Sequence, residues 1–232
     1  MVDEAVTVAA LPPFALVTPG TMVATVKTIP FAVPAPVMRR AAETAAGLRL
    51  DVAVPMIRRA VLIQTVLTGT QAKVLNKTQE GLDRRLAVFG LGLSGERRCP
   101  HDSPSLRDEI SGAIAAGADM VLVMGASAVT DRRDVVPAAI EAAGGVVEHF
   151  GMPVDPGNLL LTGRVGTIPV LSVPGCARTP KPNGFDWVLG RLVCGIVTSG
   201  RDIQRMGAGG LIIDSAATGQ RTADGPMLVA QG

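Results

Sequence analysis

The segment Ala118–Gly145, ADMVLVMGASAVTDRRDVVPAAIEAAGG, constrains the fold more than any other part of the sequence. Its apolar run Met120–Met124 has the length of a buried strand, and the small residues Gly125–Ala128 then allow a sharp turn. A helical pattern follows from Val135 and stops at Gly144-Gly145. A strand–turn–helix unit directs backbone N–H groups and a helix dipole at one point, which favours a bound anion. The alternative is an ordinary connection, since every α/β protein must turn between strand and helix.

Strands and helices alternate along the middle of the chain. Ala60–Leu67 and Leu91–Arg98 have strand patterns, and between them lies an amphipathic helix with apolar residues three and four positions apart. Alternation of this kind predicts an α/β fold with a mostly parallel sheet and helices on both faces. Ligands of such sheets bind beyond the carboxyl ends of the strands. Two segments are expected there, Gly125–Thr130 and Pro174-Gly175.

The chain is predicted to have three parts. Residues 1–56 form a small β-rich segment, 57–200 the α/β domain and 201–232 a C-terminal extension. Within the first part we predict strands at Ala5–Ala10, Phe14–Thr18, Thr21–Ile29 and Leu48–Val54, with a helix over Val37–Gly47; within the second, a hairpin made by 158–163 and 167–173.

Composition excludes several classes of function. The net charge is only +2 and aromatic residues make up 3% of the chain, so neither a basic surface nor a stacking platform for nucleic acid is expected. Three widely spaced cysteines do not form a disulfide framework. The N-terminus lacks the pattern of a signal peptide, and no apolar run has the length of a membrane span. We therefore expect a soluble, cytoplasmic protein that contacts neither nucleic acid nor a membrane.

Two other motifs match a dinucleotide-binding site and a metal site in residue type but not in context. Gly90–Gly95 matches GxGxxG, but a helix precedes it and an extended run follows, the reverse of a dinucleotide-binding context. Cys99-Pro100-His101-Asp102 contains metal-ligating residue types. The sequence has only one other histidine, His149, and no nearby pair of cysteines, so too few further ligands are available for a metal site. We predict instead a loop and a helix whose N-cap is Ser103, followed by Pro104.

Three charged residues beside the turn have two interpretations each. Asp134 precedes Val135-Val136-Pro137, so it is either a helix N-cap or a carboxylate that binds a ligand or helps to hold Mg²⁺. Arg132 and Arg133 are either solvated surface charges or contacts to a phosphate.

Two stretches of the sequence resemble a known family. VLVMGASAVTDRRDVVPAAIEAAGG, Val121–Gly145, is similar to the signature of the molybdopterin-binding domain of molybdenum cofactor biosynthesis proteins, the gephyrin-like family. Pro156-Gly157-Asn158, the strand after it and Pro174-Gly175 resemble a second pattern of that family, PGKP…PV…LPG. Leu75-Asn76 stands where the family has Ser/Thr-Asn. The resemblance covers about Ala60–Gly195, and the residues before it resemble bacterial proteins in which this module precedes a nucleotidyltransferase domain.

The resemblance implies a three-layer α/β/α sandwich whose ligand is molybdopterin, a pterin dithiolene with a phosphate, or the molybdenum cofactor made from it. It implies a homo-oligomer, and as partner a nucleotidyltransferase domain or a protein of molybdoenzyme maturation. If the chain is catalytic, Mg²⁺ and ATP are its further cofactors. It places the following residues at the ligand: Asp134, which has the catalytic role, with Gly125, Ala126, Ser127, Ala128, Thr130, Arg132, Arg133, Asn76, Pro156, Gly157, Asn158, Pro174 and Gly175.

The sequence departs from this family at several positions. Ala126 and Ala128 replace Gly or Ser, and Asn158 replaces a Lys or Arg. The Thr-Gly-Asp/Glu expected after the first strand reads Thr65-Val66-Leu67, so an acidic metal ligand is missing. Transfer of a phosphoryl group needs such charges. The sequence therefore favours a molybdopterin-binding module; the alternatives are an active adenylyltransferase or molybdenumtransferase, and a structural or oligomerisation module with a decayed pocket.

Overall fold

A computed structural model describes residues 3–212, and the chain divides into two compact units at Val54/Pro55. Most of the predicted C-terminal extension, residues 213–232, lies outside the described residues. The smaller unit contains an antiparallel pair, β1 (Val6–Ala10) with β2 (Ala24–Thr28), followed by helix α1 (Ala35–Ala45). These elements confirm the small β-rich segment; the domain bounds stay a prediction.

Two predicted strands of this segment are wrong. Residues 14–18 are irregular, because Phe14 has a φ of 65° and a proline follows at 19. Residues 48–54 have no regular secondary structure and pair with no strand among residues 3–212. Their apolar side chains alternate as in a strand, yet Leu48 is 75% exposed and Val54 66%. An alternating pattern does not make a strand unless a neighbour supplies the hydrogen bonds.

The larger unit is built on a six-stranded sheet with the order β4-β3-β5-β8-β7-β6. Every neighbouring pair from β4 to β8 is parallel, and β7 is antiparallel to both of its neighbours. This confirms the mostly parallel sheet and the hairpin before Pro174. The strands are β3 (Ala60–Val66), β4 (Leu93–Pro100), β5 (Met120–Met124), β6 (Val146–Phe150), β7 (Leu161–Val165) and β8 (Ile168–Ser172).

Helices cover both faces of the sheet and form two separate apolar cores. Successive residues of a strand point to opposite faces, so Leu122 packs in one core with Leu82 and Phe185 whereas Val123 packs in the other with Ile140. The three-layer α/β/α sandwich is therefore confirmed. The helices are α2 (Ala72–Ala87), α3 (Ser103–Ala115), α4 (Val135–Ala142), α5 (Gly184–Val193) and the short α6 (Gly200–Gln204). None of the helices in the described part of the chain is long and apolar enough to cross a bilayer.

Strand register brings two loops together at the carboxyl edge of the sheet. β5 and β8 are parallel neighbours with Val123 opposite Ser172, and the amide of Val173 donates to the carbonyl of Val123 at 2.8 Å. The chain leaves β5 at Gly125 and leaves β8 through Val173 and Pro174. Both loops therefore begin side by side, as the sequence predicted.

Candidate functional site

A cavity of about 200 Å³ lies between these two loops. Six of the residues predicted to bind the ligand line it, namely Gly125, Ala126, Ser127, Ala128, Pro174 and Gly175. Val129 also lines it and lies within the predicted segment Gly125–Thr130, whereas four further lining residues were not predicted: Leu159, Ser172, Val173 and Arg178. The sequence thus located the cavity through the turn and the Pro-Gly pair, and it missed the cationic side chain.

The turn after β5 forms one wall of the cavity, and glycine is required where it begins. A Cβ on Gly125 would lie 2.7 Å from the carbonyl oxygen of Ser127, well inside van der Waals contact. The amide of Ala126 donates to Thr65 Oγ1 at 2.8 Å. The amides of Ser127, Ala128 and Val129 have no hydrogen-bond partner among the residues that the structure describes. Three backbone donors at the cavity wall can therefore serve a ligand.

Arg178 supplies the positive charge of the cavity. A 3₁₀ turn, Gly175–Arg178, follows Pro174 and brings this half-buried side chain back beside Gly175. Its Nε donates to Thr78 Oγ1 at 3.1 Å, and within residues 3–212 no carboxylate lies within ion-pair distance of it. Burial lowers the pKa of the Arg178 guanidinium from its ordinary value. A partly desolvated cation without a carboxylate partner is a ready contact for an anion.

A buried ion pair holds the segment that follows Arg178. Arg85 Nε on α2 donates to the carboxylate of Asp186 on α5, and both side chains are about one-tenth exposed (11% and 9%). Arg85 also donates to the carbonyl oxygens of Thr179 at 2.9 Å and Lys181 at 3.4 Å. One arginine therefore ties the backbone beyond Arg178 to two helices. This arrangement anchors the segment directly after the 3₁₀ turn that carries Arg178.

A chain of polar side chains reaches the cavity wall that the turn after β5 forms. The hydroxyl of Thr65, at the end of β3, lies 2.8 Å from Nδ1 of His101, and Nε2 of His101 lies 2.8 Å from the hydroxyl of Ser127. The N-cap of α3 is Asp102, whose carboxylate accepts from the amide of Ser105, and not Ser103 as predicted. His101 lies between the end of β4 at Pro100 and this cap. The sequence contains no local signal for this contact, because the three residues lie on three different segments.

Asp134 stands at the N-cap position of α4, but its side chain does not cap the helix. Its Oδ2 instead accepts from the amides of Thr130 at 2.6 Å and Asp131 at 2.9 Å. These hydrogen bonds lower the pKa of Asp134, the Thr130 amide making the largest contribution. Asp134 therefore organises the loop beyond the turn. Its predicted catalytic or ligand-binding role stays a prediction.

Asp134, Thr130, Arg132 and Arg133 do not line the cavity. Both arginines are exposed, and Arg133 pairs with Asp131 at 3.0 Å. Their role as phosphate contacts stays a prediction.

The predicted residues from the second pattern, Pro156-Gly157-Asn158, lie in the segment between β6 and β7. Gly157 has a φ of 119°, and a Cβ there would lie 2.7 Å from Asn183 Oδ1 and 2.9 Å from the amide of Gly184. Pro156 and Gly157 are thus packed against the start of α5, and Asn158 is exposed. Asn76 is exposed on α2. None of these four residues lines the cavity, although Leu159 directly after Asn158 does.

The described residues contain no cluster of three His, Cys, Asp or Glu side chains suited to a metal ion.

Comparisons with known proteins give structural neighbours only. No protein-family model matches the chain, and no curated protein matches it in sequence. The molybdopterin biosynthesis MoeA protein from Pyrococcus horikosii is 22% identical with a TM-score of 0.39, over 51% of this chain and 30% of that one. A molybdopterin biosynthesis protein from Mycobacterium abscessus is 18% identical with a TM-score of 0.41, over 61% of this chain and 94% of that one.

A third neighbour is the tungsten cofactor synthesizing protein MoaB from Pyrococcus furiosus. It is 18% identical with a TM-score of 0.41, over 60% of this chain and 94% of that one. The chain spans less than a third of the length of the Pyrococcus horikosii protein. Identities this low do not fix a ligand or an activity.

Proposed function

We propose that the cavity between the β5 turn and the Pro174-Gly175 loop binds the phosphate end of molybdopterin, or of a precursor or the finished cofactor, in molybdenum cofactor biosynthesis. The observation that carries the proposal is Arg178. It is half buried, it faces the cavity, and in the described part of the chain it has no carboxylate partner. An arginine that is partly desolvated and has no carboxylate partner is costly unless an anion completes it.

The donors around the cavity suit an oxyanion. Arg178 offers its guanidinium N–H groups from one side, and the amides of residues 127–129 offer backbone N–H groups from the other. Among residues 3–212, no carboxylate lines the cavity. A phosphate ester accepts hydrogen bonds on three oxygens, so donors that approach from two sides match it.

The size and apolar wall of the cavity indicate how much of the ligand it holds. Its 200 Å³ is below the roughly 300 Å³ at which pockets begin to enclose a whole drug-sized ligand. The cavity therefore takes one end of the ligand. Leu159, Val173 and Pro174 give it an apolar side against which a ring system can lie. The choice of a pterin phosphate rests on the sequence resemblance at Gly125–Asp134 and Pro156–Gly175.

Binding without adenylyl transfer is the form of the proposal that the residues favour. Ala126 and Ala128 replace family glycines or serine at the wall itself, and Asn158 leaves no cation in its place. In this form the chain is an oligomeric, cytoplasmic carrier that presents the cofactor to a partner such as a nucleotidyltransferase domain. A transferase would in addition need Mg²⁺ and ATP.

Calorimetric titration of the chain with molybdopterin under anaerobic conditions tests this proposal. We expect saturable binding, and Arg178→Met should weaken it by about tenfold or more, since a hydrogen bond to a charged group contributes about 1.5–3 kcal/mol. Arg84→Met, an exposed arginine on α2, is the matched control and should leave the affinity unchanged. Equal affinity in all three proteins, or no binding to the parent, would reject the proposal.

Addition of ATP and Mg²⁺ to the same samples separates carrier from enzyme. The carrier returns molybdopterin unchanged. Formation of an adenylylated product, detected by mass spectrometry, would replace the carrier with the transferase. A chain that folds but binds no pterin phosphate would leave the structural module as the remaining function.

A further inference from the structure

The donor and acceptor roles along the polar chain at the cavity wall can be assigned, starting from the hydrogen bond between Ala126 and Thr65. The amide of Ala126 can only donate, so Thr65 Oγ1 accepts there at 2.8 Å. The same hydroxyl lies 2.8 Å from Nδ1 of His101. Beyond it, Nε2 of His101 lies 2.8 Å from Ser127 Oγ. Ser127 in turn lines the cavity.

The hydroxyl proton of Thr65 decides the tautomer of His101. Thr65 is 2% exposed, and in the described part of the chain its hydroxyl has two partners, the Ala126 amide and His101 Nδ1. A buried donor without an acceptor is destabilising, because it has lost its hydrogen bond to water and gained none in the protein. Thr65 therefore donates to Nδ1, which must be the unprotonated nitrogen. In a neutral imidazole the proton then resides on Nε2, and His101 donates to Ser127.

The reversed donor and acceptor roles would leave the Thr65 hydroxyl without an acceptor. If Ser127 donated to Nε2, the proton of His101 would reside on Nδ1 and point at Thr65, which already accepts from Ala126. The Thr65 hydroxyl proton would then have no acceptor in the described structure. The order with a donating Thr65 satisfies both the Thr65 hydroxyl and the His101 ring, and it leaves only the hydroxyl proton of the exposed Ser127 without a partner among the described residues.

We infer that His101 is a positioning residue that makes Ser127 a hydrogen-bond donor to an oxyanion in the cavity. Ser127 accepts the proton of His101 Nε2, so its own O–H points away from the imidazole. The inference deepens the proposed function and rests on it for the site: Ser127 joins Arg178 as a donor to a phosphate ester. It also assigns Ser127 a binding role in place of that of a nucleophile, since His101 Nε2 already holds a proton and cannot take another from Ser127.

The tautomer can be measured without any ligand. The chain has two histidines, so His149→Gln assigns the remaining imidazole in a long-range ¹H–¹⁵N spectrum of a protein without a histidine tag. At a pH where His101 is neutral we expect protonated Nε2 and unprotonated Nδ1. Protonated Nδ1 in the neutral ring would overturn the inference, whatever the protein binds.

Titration with inorganic sulfate tests the role of Ser127. Sulfate carries no proton at neutral pH, so it can only accept hydrogen bonds. Ser127→Ala should weaken sulfate binding, followed by amide shifts of residues 125–129, by about tenfold. Ser94→Ala, an exposed serine on β4, is the matched control and should have no effect. His101→Phe should weaken binding as Ser127→Ala does, and His101→Gln, whose amide can donate from a similar place, should restore part of it.

The outcomes separate this inference from the proposed function. Sulfate binding that depends on Arg178 but not on Ser127 or His101 would reject the inference and leave the anion site in place. Sulfate binding that is unaffected by Arg178→Met would reject the anion site, and the tautomer of His101 would still decide the direction of the polar chain.

Discussion

Asp186→Asn tests the buried ion pair that holds the Arg178 loop. The substitution neutralises the carboxylate while its amide oxygen still accepts from the backbone amide of Asn183, which Asp186 Oδ2 does at 2.9 Å. The helix cap is thus preserved, and the loss is confined to the ion pair. Arg85 is left with a buried charge that has only carbonyl partners, at Gly81, Thr179 and Lys181.

The expected magnitude follows from this burial. Removing one partner of a buried pair typically costs about 3–5 kcal/mol, because the other charge remains uncompensated. Carbonyl acceptors partly solvate Arg85, so we expect the lower end, about 3 kcal/mol. For a chain of this size that corresponds to about 6–12 °C in melting temperature. The exposed pair Glu148–Arg164, with side chains 43% and 50% exposed, provides the control Glu148→Gln, for which we expect less than about 1 kcal/mol.

The single tryptophan, Trp187 on α5, reports unfolding of the larger unit by fluorescence. Urea titrations should show a lower midpoint for Asp186→Asn with an unchanged slope. Arg85→Met combined with Asp186→Asn should be more stable than Asp186→Asn alone, because no lone charge remains. If Asp186→Asn and Glu148→Gln were equally stable, the ion pair would contribute nothing and the account of the Arg178 loop would fail.

Three further predictions concern the turn, the loop and a buried thiol. Gly125→Ala should lower stability by about 1–3 kcal/mol through the backbone clash, measured by urea unfolding; Gly95→Ala, with open space around its Cβ, should not, and equal losses would contradict the clash. The pKa of Asp134 lies below its ordinary value of 3.8. The hydrogen bonds from the loop amides to its carboxylate should therefore persist above pH 3.8 and be lost as the pH falls through the lowered pKa. A Thr130 amide chemical shift that stays constant down to acid unfolding would contradict this prediction. Burial raises the pKa of Cys99 to about 11, so iodoacetamide at pH 8 should leave it unmodified by mass spectrometry; labelling as fast as a free thiol would contradict this.

Local sequence patterns correctly predicted the elements whose hydrophobic pattern and flanking small residues mark both ends. Met120–Met124 is a strand with the predicted bounds because five apolar residues end at a run of small ones. The adjacency of Gly125 and Pro174 also followed from the sequence, since parallel strands end at one edge. The strand over 48–54 was mispredicted because a strand requires a neighbour, and pairing is not encoded in an alternating pattern.

The side chains that complete the site depend on tertiary contacts. Thr65 and His101 are 36 residues apart and His101 and Ser127 are 26 apart, so no spacing rule links them. Arg178 ends the 3₁₀ turn that follows Pro174, and its guanidinium lies beside Gly175, a placement that no sequence pattern predicts. Asp134 has the residue type and position of an N-cap, but its carboxylate accepts from the neighbouring loop amides and not from the first amides of the helix.

The location of a bound oxyanion tests the central claim most directly. A crystal of the chain grown with tungstate and measured at a tungsten absorption edge reveals the anion by its anomalous scattering. We predict a peak within hydrogen-bond distance of the Arg178 guanidinium and of the Ser127 hydroxyl. A peak at Arg132 or Arg133 with none in the cavity would contradict the account.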